Sequence, residues 1–465
     1  MDLNLSKIKV LSYYFIWILI WLSIGVDPEI FTKIIVKLRN GETVNLSEIS
    51  KFIRIASPII ISFFLIIFNY GNIKNIFYNY FFKNITFCLL NIFLIIKLIA
   101  NLYTNNPNIN IFWVYIAWIS IFVIALLDDK NPNNLKYIKY ISLTILFLVF
   151  LKFSYPLATN FFLSSTSIYN LWPKVYSFDF EAPRPTGLSR TALLIYCFLL
   201  VGFYNSRSYY KSRLFLLIFL GGWIIFLQSR TIVFLFFFFN ILAFYLNNSF
   251  NLKFAIKNIF LLFLLPILLF YGANSLKIQL LENKNYVKWI SEIKHDHNEE
   301  EITRRQLFVK EELRKGGEVK DVQIFRDVDP RSFTSFRTLH WKEIIKKVRS
   351  SPLIGYGAKG DRFLIDQSAS NLYFYVLSSS GYIGLIIILI LSIRHVYLVI
   401  YLLFYEKIFK DKKKILISSA SFIIILLFLR GILETSFGIF SIDYCIFIIC
   451  ALIIENEYNH LRDKI

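Results

Sequence analysis

Apolar runs of about 20 residues, the length a helix needs to cross a bilayer, recur along most of the chain. They fall at roughly 10–26, 52–70, 84–103, 111–127, 138–158, 188–205, 213–228, 230–247, 255–273, 371–404, 415–433 and 437–454, about twelve in all. The pattern predicts an all-α polytopic integral membrane protein. Most polar interruptions are short. The exceptions are about 159–185 and the stretch 274–370, which is dense in both signs of charge; long segments of this kind are functional or disordered. The chain thus divides into spans one to nine (1–273), a large loop serving as lid and part of the site (274–370), and spans ten to twelve with a tail (371–465). Inside the loop Leu339, Ile344, Ile345 and Val348 recur at helical spacing, and Ser350, Ser351 and Pro352 close that helix. Near the start, Ile34, Ile35 and Leu38 predict an interfacial helix, for which Asp27-Pro28 is a fitting N-terminus.

Composition agrees, with 56% hydrophobic residues and 49 phenylalanines and a mean hydropathy of +0.56, too apolar for a soluble domain. The formal charge of +20 would suggest nucleic acid in a soluble protein. Here the basic residues sort by loop: Lys74 and Lys83, Lys130 to Lys139, Arg207 to Arg213, Lys253 and Lys257, and Lys407 to Lys414 fall on alternate loops. Cytoplasmic loops retain Lys and Arg, so both termini are expected inside and the large loop outside, with no nucleic-acid partner. The first outer loop, with Lys33, Lys37, Arg39, Lys51 and Arg54 partly offset by acids, departs from this rule. Lys7 and Lys9 precede an apolar run without a small-residue cleavage site, which predicts a retained signal anchor. All four cysteines lie in apolar runs and suit packing.

Arginines on the outer side run against that bias. Arg184 and Arg190 open the sixth span in RPTGLSR, Arg230 sits in a tight outer turn, Arg337 lies in the large loop, and Arg430 and Glu434 end the eleventh span. Any one could snorkel to a headgroup; for Arg430 and Glu434, spaced i to i+4, an internal ion pair is favoured. As a set, fixed guanidiniums facing a membrane suit phosphate or pyrophosphate, which they bind bidentately without losing their charge. A lipid pyrophosphate combines both features, and such a site stabilises it as a leaving group without a metal or other cofactor. His295, Asp296 and His297 have no further partner at ligand spacing, so no metal site is expected.

RPTGLSR, the SRT turn at 229–231, FRxxxW from Phe336 to Trp341, PLIGYG from Pro352 to Gly357, and SNLYFYVLSSSGYIGL from Ser370 to Leu385 occur in this order. Together with RGILETSFGIFSIDYCIF at Arg430 to Phe447, they resemble the O-antigen polymerase and ligase superfamily. The resemblance covers about 184–447. It implies an undecaprenyl-pyrophosphate-linked oligosaccharide as substrate, with Arg230 and Arg337 as the pyrophosphate arginines and Arg184 and Arg190 lining the cavity. It also implies an active site at the outer face of the bacterial inner membrane. His340, Asn371, Arg430 and Glu434 complete the expected substrate contacts, and a chain-length-regulating co-polymerase is a candidate partner.

Ligases resemble this segment but carry histidine where Ser370 stands before Asn371, so the missing base favours a polymerase of polysaccharide repeat units. Asp366, His340 and Glu434 are the candidate substitutes, and Asp366 is taken as the catalytic acid-base residue. The alternatives are a ligase to another acceptor such as lipid A-core, a glycosyltransferase using a lipid monophosphate (for which Asp27 and Glu29 offer an acidic pair), and a lipid-linked oligosaccharide flippase. Lys97 and Lys152 are too sparse to line a transport path. Gly355-Tyr356-Gly357 lacks the preceding Thr-Val of a potassium filter and reads as a turn that ends a helix.

Overall fold

The computed structural model describes residues 30–46, 84–104, 185–205, 209–227, 229–247, 260–283, 337–365, 368–411, 414–435 and 442–463, with isolated positions between 48 and 154 and at 257. Among these residues the chain is all-helical. In order the helices are α1 (Ile30–Arg39), α2 (Ile85–Tyr103), α3 (Pro185–Asn205), α4 (Tyr210–Phe226), α5 (Arg230–Asn247), α6 (Leu265–Glu282), α7 (Arg337–Val348), α8 (Gly360–Ile365), α9 (Leu372–Ile400), α10 (Ile415–Leu433) and α11 (Ile442–Arg462). Five segments are long and apolar enough to cross a membrane: Ile85–Tyr103, Leu188–Asn205, Phe260–Leu280, Leu372–Tyr405 and Ile415–Leu433. That is the signature of a membrane protein. The expected spans at 10–26, 52–70, 111–127 and 138–158 lie wholly or mostly outside the described residues, as does the acidic stretch at 295–301.

Where both exist, apolar runs and helices agree closely, because a run of this length leaves no polar residue to satisfy an end. The exceptions are α6 and α11, which continue to Glu282 and Arg462, past the expected boundaries at 273 and 454, because neither 274–282 nor 455–462 holds a proline or glycine to stop the helix. A helix stands at the expected place as α1, which buries Ile34 and leaves Ile35 and Leu38 exposed.

The helices form two compact units, residues 146–338 and residues 1–145 with 339–465. In the first, α3, α4 and α5 run alternately. Arg213 Nη1, early in α4, donates 2.7 Å to the carbonyl of Gly202 near the end of α3. Tyr196 Oη donates 2.7 Å to Asn240 Oδ1. Short connections join α3 to α4 and α4 to α5, so each pair is antiparallel, α3 and α5 run parallel, and Tyr196 and Asn240 stand at similar depth in them. Tyr196 and Phe236 meet edge to face at 5.0 Å.

In the second unit α9 is central and packs against α2, α10 and α11. It is not one continuous helix: Gly381 has φ 61° and ψ −161°, a region open in practice only to glycine. In an unbroken helix Tyr382 and Ile383 would donate to Ser378 and Ser379. Here Tyr382 N donates 2.8 Å to Pro352 O and Ile383 N 3.3 Å to Leu353 O. In return Tyr356 N donates 2.9 Å to Ser378 O and Gly357 N 2.8 Å to Ser379 O. The PLIGYG segment is therefore a strap spliced into the broken helix, backbone against backbone. Gly355 (φ 68°) lies so close that an added Cβ would stand 2.6 Å from Gly381 N.

Gly381→Ala is expected to lower the melting temperature of the detergent-solubilised protein, since the backbone conformation alone costs a non-glycine residue about 1–3 kcal/mol and the new Cβ would strike the Leu353 carbonyl. Gly272→Ala, helical with open space around it, is expected to leave melting unchanged or higher.

Candidate functional site

At one end of the second unit, polar residues gather around the strap. Asn371 caps α9, its Oδ1 accepting from Tyr373 N at 2.8 Å and Phe374 N at 3.1 Å. Its Nδ2 donates 2.6 Å to Ile432 O in the last turn of α10. Ser370, just before it, has φ 50°, a conformation that costs a serine energy and that clusters at functional sites.

Two residues before that carbonyl lies the most buried arginine among the described residues. Arg430, 2% exposed, donates from Nε to Glu434 Oε2 at 2.7 Å and from Nη1 to Asp443 Oδ2 at 2.8 Å. The expected i to i+4 pair is thus present, joined by a second carboxylate from the first turn of α11. With two edges of its guanidinium engaged, Arg430 acts here as a clamp between α10 and α11.

The strap also meets α2. Asn101 Oδ1 accepts from Ala358 N at 2.8 Å, and an added Cβ at Gly357 would collide with the same oxygen. One turn earlier Lys97, fully buried, lies 3.4 Å from Tyr375 Oη and over the rings of Phe93 and Tyr375 at 5.0 and 4.7 Å. Asp361, also buried, accepts from Arg362 N at 2.9 Å and Ala369 N at 2.8 Å. Burial pushes its carboxyl above the ordinary range, and the Ala369 and Arg362 amides with the charges of Arg362 and Lys97 pull it back.

Ala369 links this cluster to α7. Trp341 Nε1 donates 2.8 Å to Ala369 O, and the indole stacks on Phe374 at 5.0 Å. Helix α7 occupies the expected positions, burying Ile344 and Val348. Arg337 is its first residue, half-exposed, with no hydrogen-bond or ion-pair partner among the described residues. His340 follows three positions later, so the two share a face. Burial holds the His340 imidazole below its ordinary range, partly offset by Glu343.

In the unit of residues 146–338, to which Arg337 also belongs, Arg230 is the first residue of α5 and Arg190 lies half-buried, about 7 Å along α3 from Pro185. Since α3 and α5 run parallel with Tyr196 and Asn240 at similar depth, Arg190 and the start of α5 occupy one end of that unit. Arg184 directly precedes Pro185, where α3 begins, and itself lies outside the described residues, as does Asp366. Among the described residues no group of three His, Cys, Asp or Glu is placed to hold a metal ion. Against known proteins, no family model matches the chain and no curated protein matches it.

Sequence reasoning passed over Asn101 and Asp443, met Asp361 only beside the filter-like GYG, and weighed Lys97 only as too sparse to line a transport path. The readable signal was the i to i+4 pair Lys97 and Asn101 on one face of an apolar run, where ionisable groups are costly and functional by default.

Arg430→Met leaves Asp443 buried without its cation and is expected to cost about 3–5 kcal/mol, the usual effect of breaking a buried pair. Glu434, 20% exposed, can rehydrate, so Glu434→Gln is expected to cost about 1 kcal/mol or less. Thermal unfolding of the wild type and both variants checks the order.

Proposed function

We propose that the chain is a membrane glycosyltransferase that polymerises lipid-pyrophosphate-linked polysaccharide repeat units at the outer face of the bacterial inner membrane, with about twelve spans and both termini inside. The observation that carries this reading is the location of the arginines. Arg230 is the first residue of α5, and Arg337, half-exposed, has no hydrogen-bond or ion-pair partner among the described residues. A helix N-terminus presents free N–H groups and partial positive charge, which favours an anion and disfavours a cation by about 0.3–1 kcal/mol. An arginine at such a position is stabilised once a phosphate group joins it.

In the proposed reaction a hydroxyl of the incoming lipid-linked unit attacks the anomeric carbon of the growing chain. The new C–O bond forms as the bond to the pyrophosphate breaks, with inversion. Charge developing on the leaving lipid pyrophosphate is taken up by Arg230 and Arg337, the roles the family resemblance implies, with Arg184 and Arg190 as the further arginines it implies. The hydroxyl proton goes to a base. Among the described candidates, Glu434 is committed to Arg430, whereas His340 shares a face with Arg337 and is held toward its neutral, proton-accepting form. Asp366 remains the acid proposed from sequence. Asn371, Arg430 and Glu434 hold the frame on which the acceptor would rest. The serine at 370 favours polymerase over ligase.

An assay with defined lipid-linked repeat units tests this directly. Longer chains are expected; transfer to a different lipid would indicate a ligase, and no new glycosidic bond a flippase. Arg337→Lys and Arg230→Lys are each expected to lower turnover by about 10²-fold or more, since an ammonium lacks the bidentate fork. Normal chain-length ladders from those variants would remove the site.

If His340 is the base, turnover of the wild type is expected to hold steady down through neutral pH and to fall only below the ordinary imidazole range, where the depressed pKa finally allows protonation. His340→Gln should lower turnover by about 10²–10⁴-fold and abolish that acid limb. An unchanged pH profile in the variant would pass the role to Asp366.

A further inference from the structure

Between Leu339 and Ile365 the chain carries a set of cations that the described residues leave unanswered. Lys342, Lys346 and Arg349, spaced i, i+4 and i+7, line one face of α7 and its closing turn, and Arg362 stands on α8. All four are exposed, and their side chains form no hydrogen bond or ion pair among the described residues. The acids beside them offer little: Glu343 is held by Lys347 at 3.0 Å, and Asp361 is buried. Interleaved with the cations are exposed apolar side chains, Leu353 (62%) and Phe363 (44%) foremost. The pieces form one lobe. Lys347 Nζ donates 2.6 Å to Leu364 O, Tyr356 Oη donates 3.3 Å to Lys347 O, and the Tyr356 and Phe363 rings lie 5.7 Å apart.

Two spans fix the level of this lobe. Helix α2 has 19 residues, about 28 Å, which is close to the thickness of the hydrocarbon core. Its end meets the strap: Asn101 Oδ1 accepts from Ala358 N, and Thr104 Oγ1 lies 3.5 Å from Tyr356 O. The segment Leu372–Tyr405 has 34 residues, about 51 Å if helical throughout, and cannot lie wholly within that core. From Tyr382, where the strap enters, residues 382–405 span about 36 Å and suffice to cross it. Both measures put the strap at the boundary between hydrocarbon and headgroups, with α7 and α8 beside it. Lys and Arg interleaved with aromatic and apolar side chains is the composition of a segment that lies on a membrane surface.

We propose that the α7–α8 lobe is a docking surface for anionic lipid: Lys342, Lys346, Arg349 and Arg362 engage headgroup phosphates of the adjoining leaflet, with Leu353 and Phe363 against its apolar edge. The inference stands apart from the polymerase reading, since it needs only that the chain spans a membrane. An acidic polysaccharide would suit the cations, but it would leave Leu353 and Phe363 without a use, so lipid is the occupant the surface favours. Each Lys or Arg near an anionic leaflet strengthens binding about fivefold, and four of them make docking depend on the charge of the lipid.

The test follows hydrogen exchange of peptides covering 342–350 and 359–365 in the full-length protein, in phosphatidylcholine nanodiscs with and without phosphatidylglycerol. With the anionic lipid, exchange is expected to slow by about 10-fold or more, as local opening becomes costlier. At about 1 M salt, where the Debye length falls to about 3 Å, that difference is expected to vanish. Changing all four cations to glutamine is expected to abolish it without altering melting in phosphatidylcholine, whereas swapping Lys for Arg and Arg for Lys at the four positions keeps it. Leu353→Ser with Phe363→Ser is expected to weaken it by about threefold or more. Equal exchange in the two lipids would overturn the proposal, as would protection that survives either the glutamine variant or the serine pair. So would slowing by an acidic polysaccharide added to phosphatidylcholine nanodiscs with none by phosphatidylglycerol, which would make the lobe a glycan-binding surface.

Discussion

In a bilayer every backbone N–H and C=O needs a partner from the protein itself. A helix broken in mid-span is therefore stable only if another backbone enters the break. In α9 the break at Gly381 frees the carbonyls of Ser378 and Ser379 and the amides of Tyr382 and Ile383, and the strap from Pro352 to Gly357 answers all four. Much of the second unit's polar end follows from that splice. It sets Ala358 against Asn101, it brings Asp361 back toward α9, and it lets Ala369 receive the Trp341 indole. Gly355 of the strap serves close approach of two main chains, since a side chain there would occupy the space of the Ser380 and Gly381 backbone, and Gly357 makes room for the Asn101 side chain.

Much of this was legible in sequence where the signal is local. The run 415–433 coincides with Ile415–Leu433, and the run 230–247 matches α5 from end to end, because uninterrupted apolar sequence has few ways to start or stop. The cap at Asn371 and the pair Arg430 with Glu434 are spaced within one turn and were equally readable. Pairings between distant residues were not. GYG reads as a turn and is one, but nothing in PLIGYG names Ser378 and Ser379 as its partners. Lys97 looks isolated because the tyrosine that meets it, Tyr375, lies far along the chain. Asp443 is similarly invisible as the second partner of Arg430, since an acid in a first helical turn already has a sufficient reason in the helix dipole. Two of the expected site residues, Arg184 and Asp366, lie outside the described residues.

The arginines sort by what already holds them, and that sorting narrows the chemistry more than their number does. Arg430 is saturated by two carboxylates, so adding a phosphate there would mean displacing acids from a buried cation. Arg213 is spent on the Gly202 carbonyl, joining α3 to α4. Arg337 differs from both: it is half-exposed and has no hydrogen-bond or ion-pair partner among the described residues. Under the proposed function, such an arginine suits a group that arrives and departs, as a pyrophosphate released at each round of chain growth does.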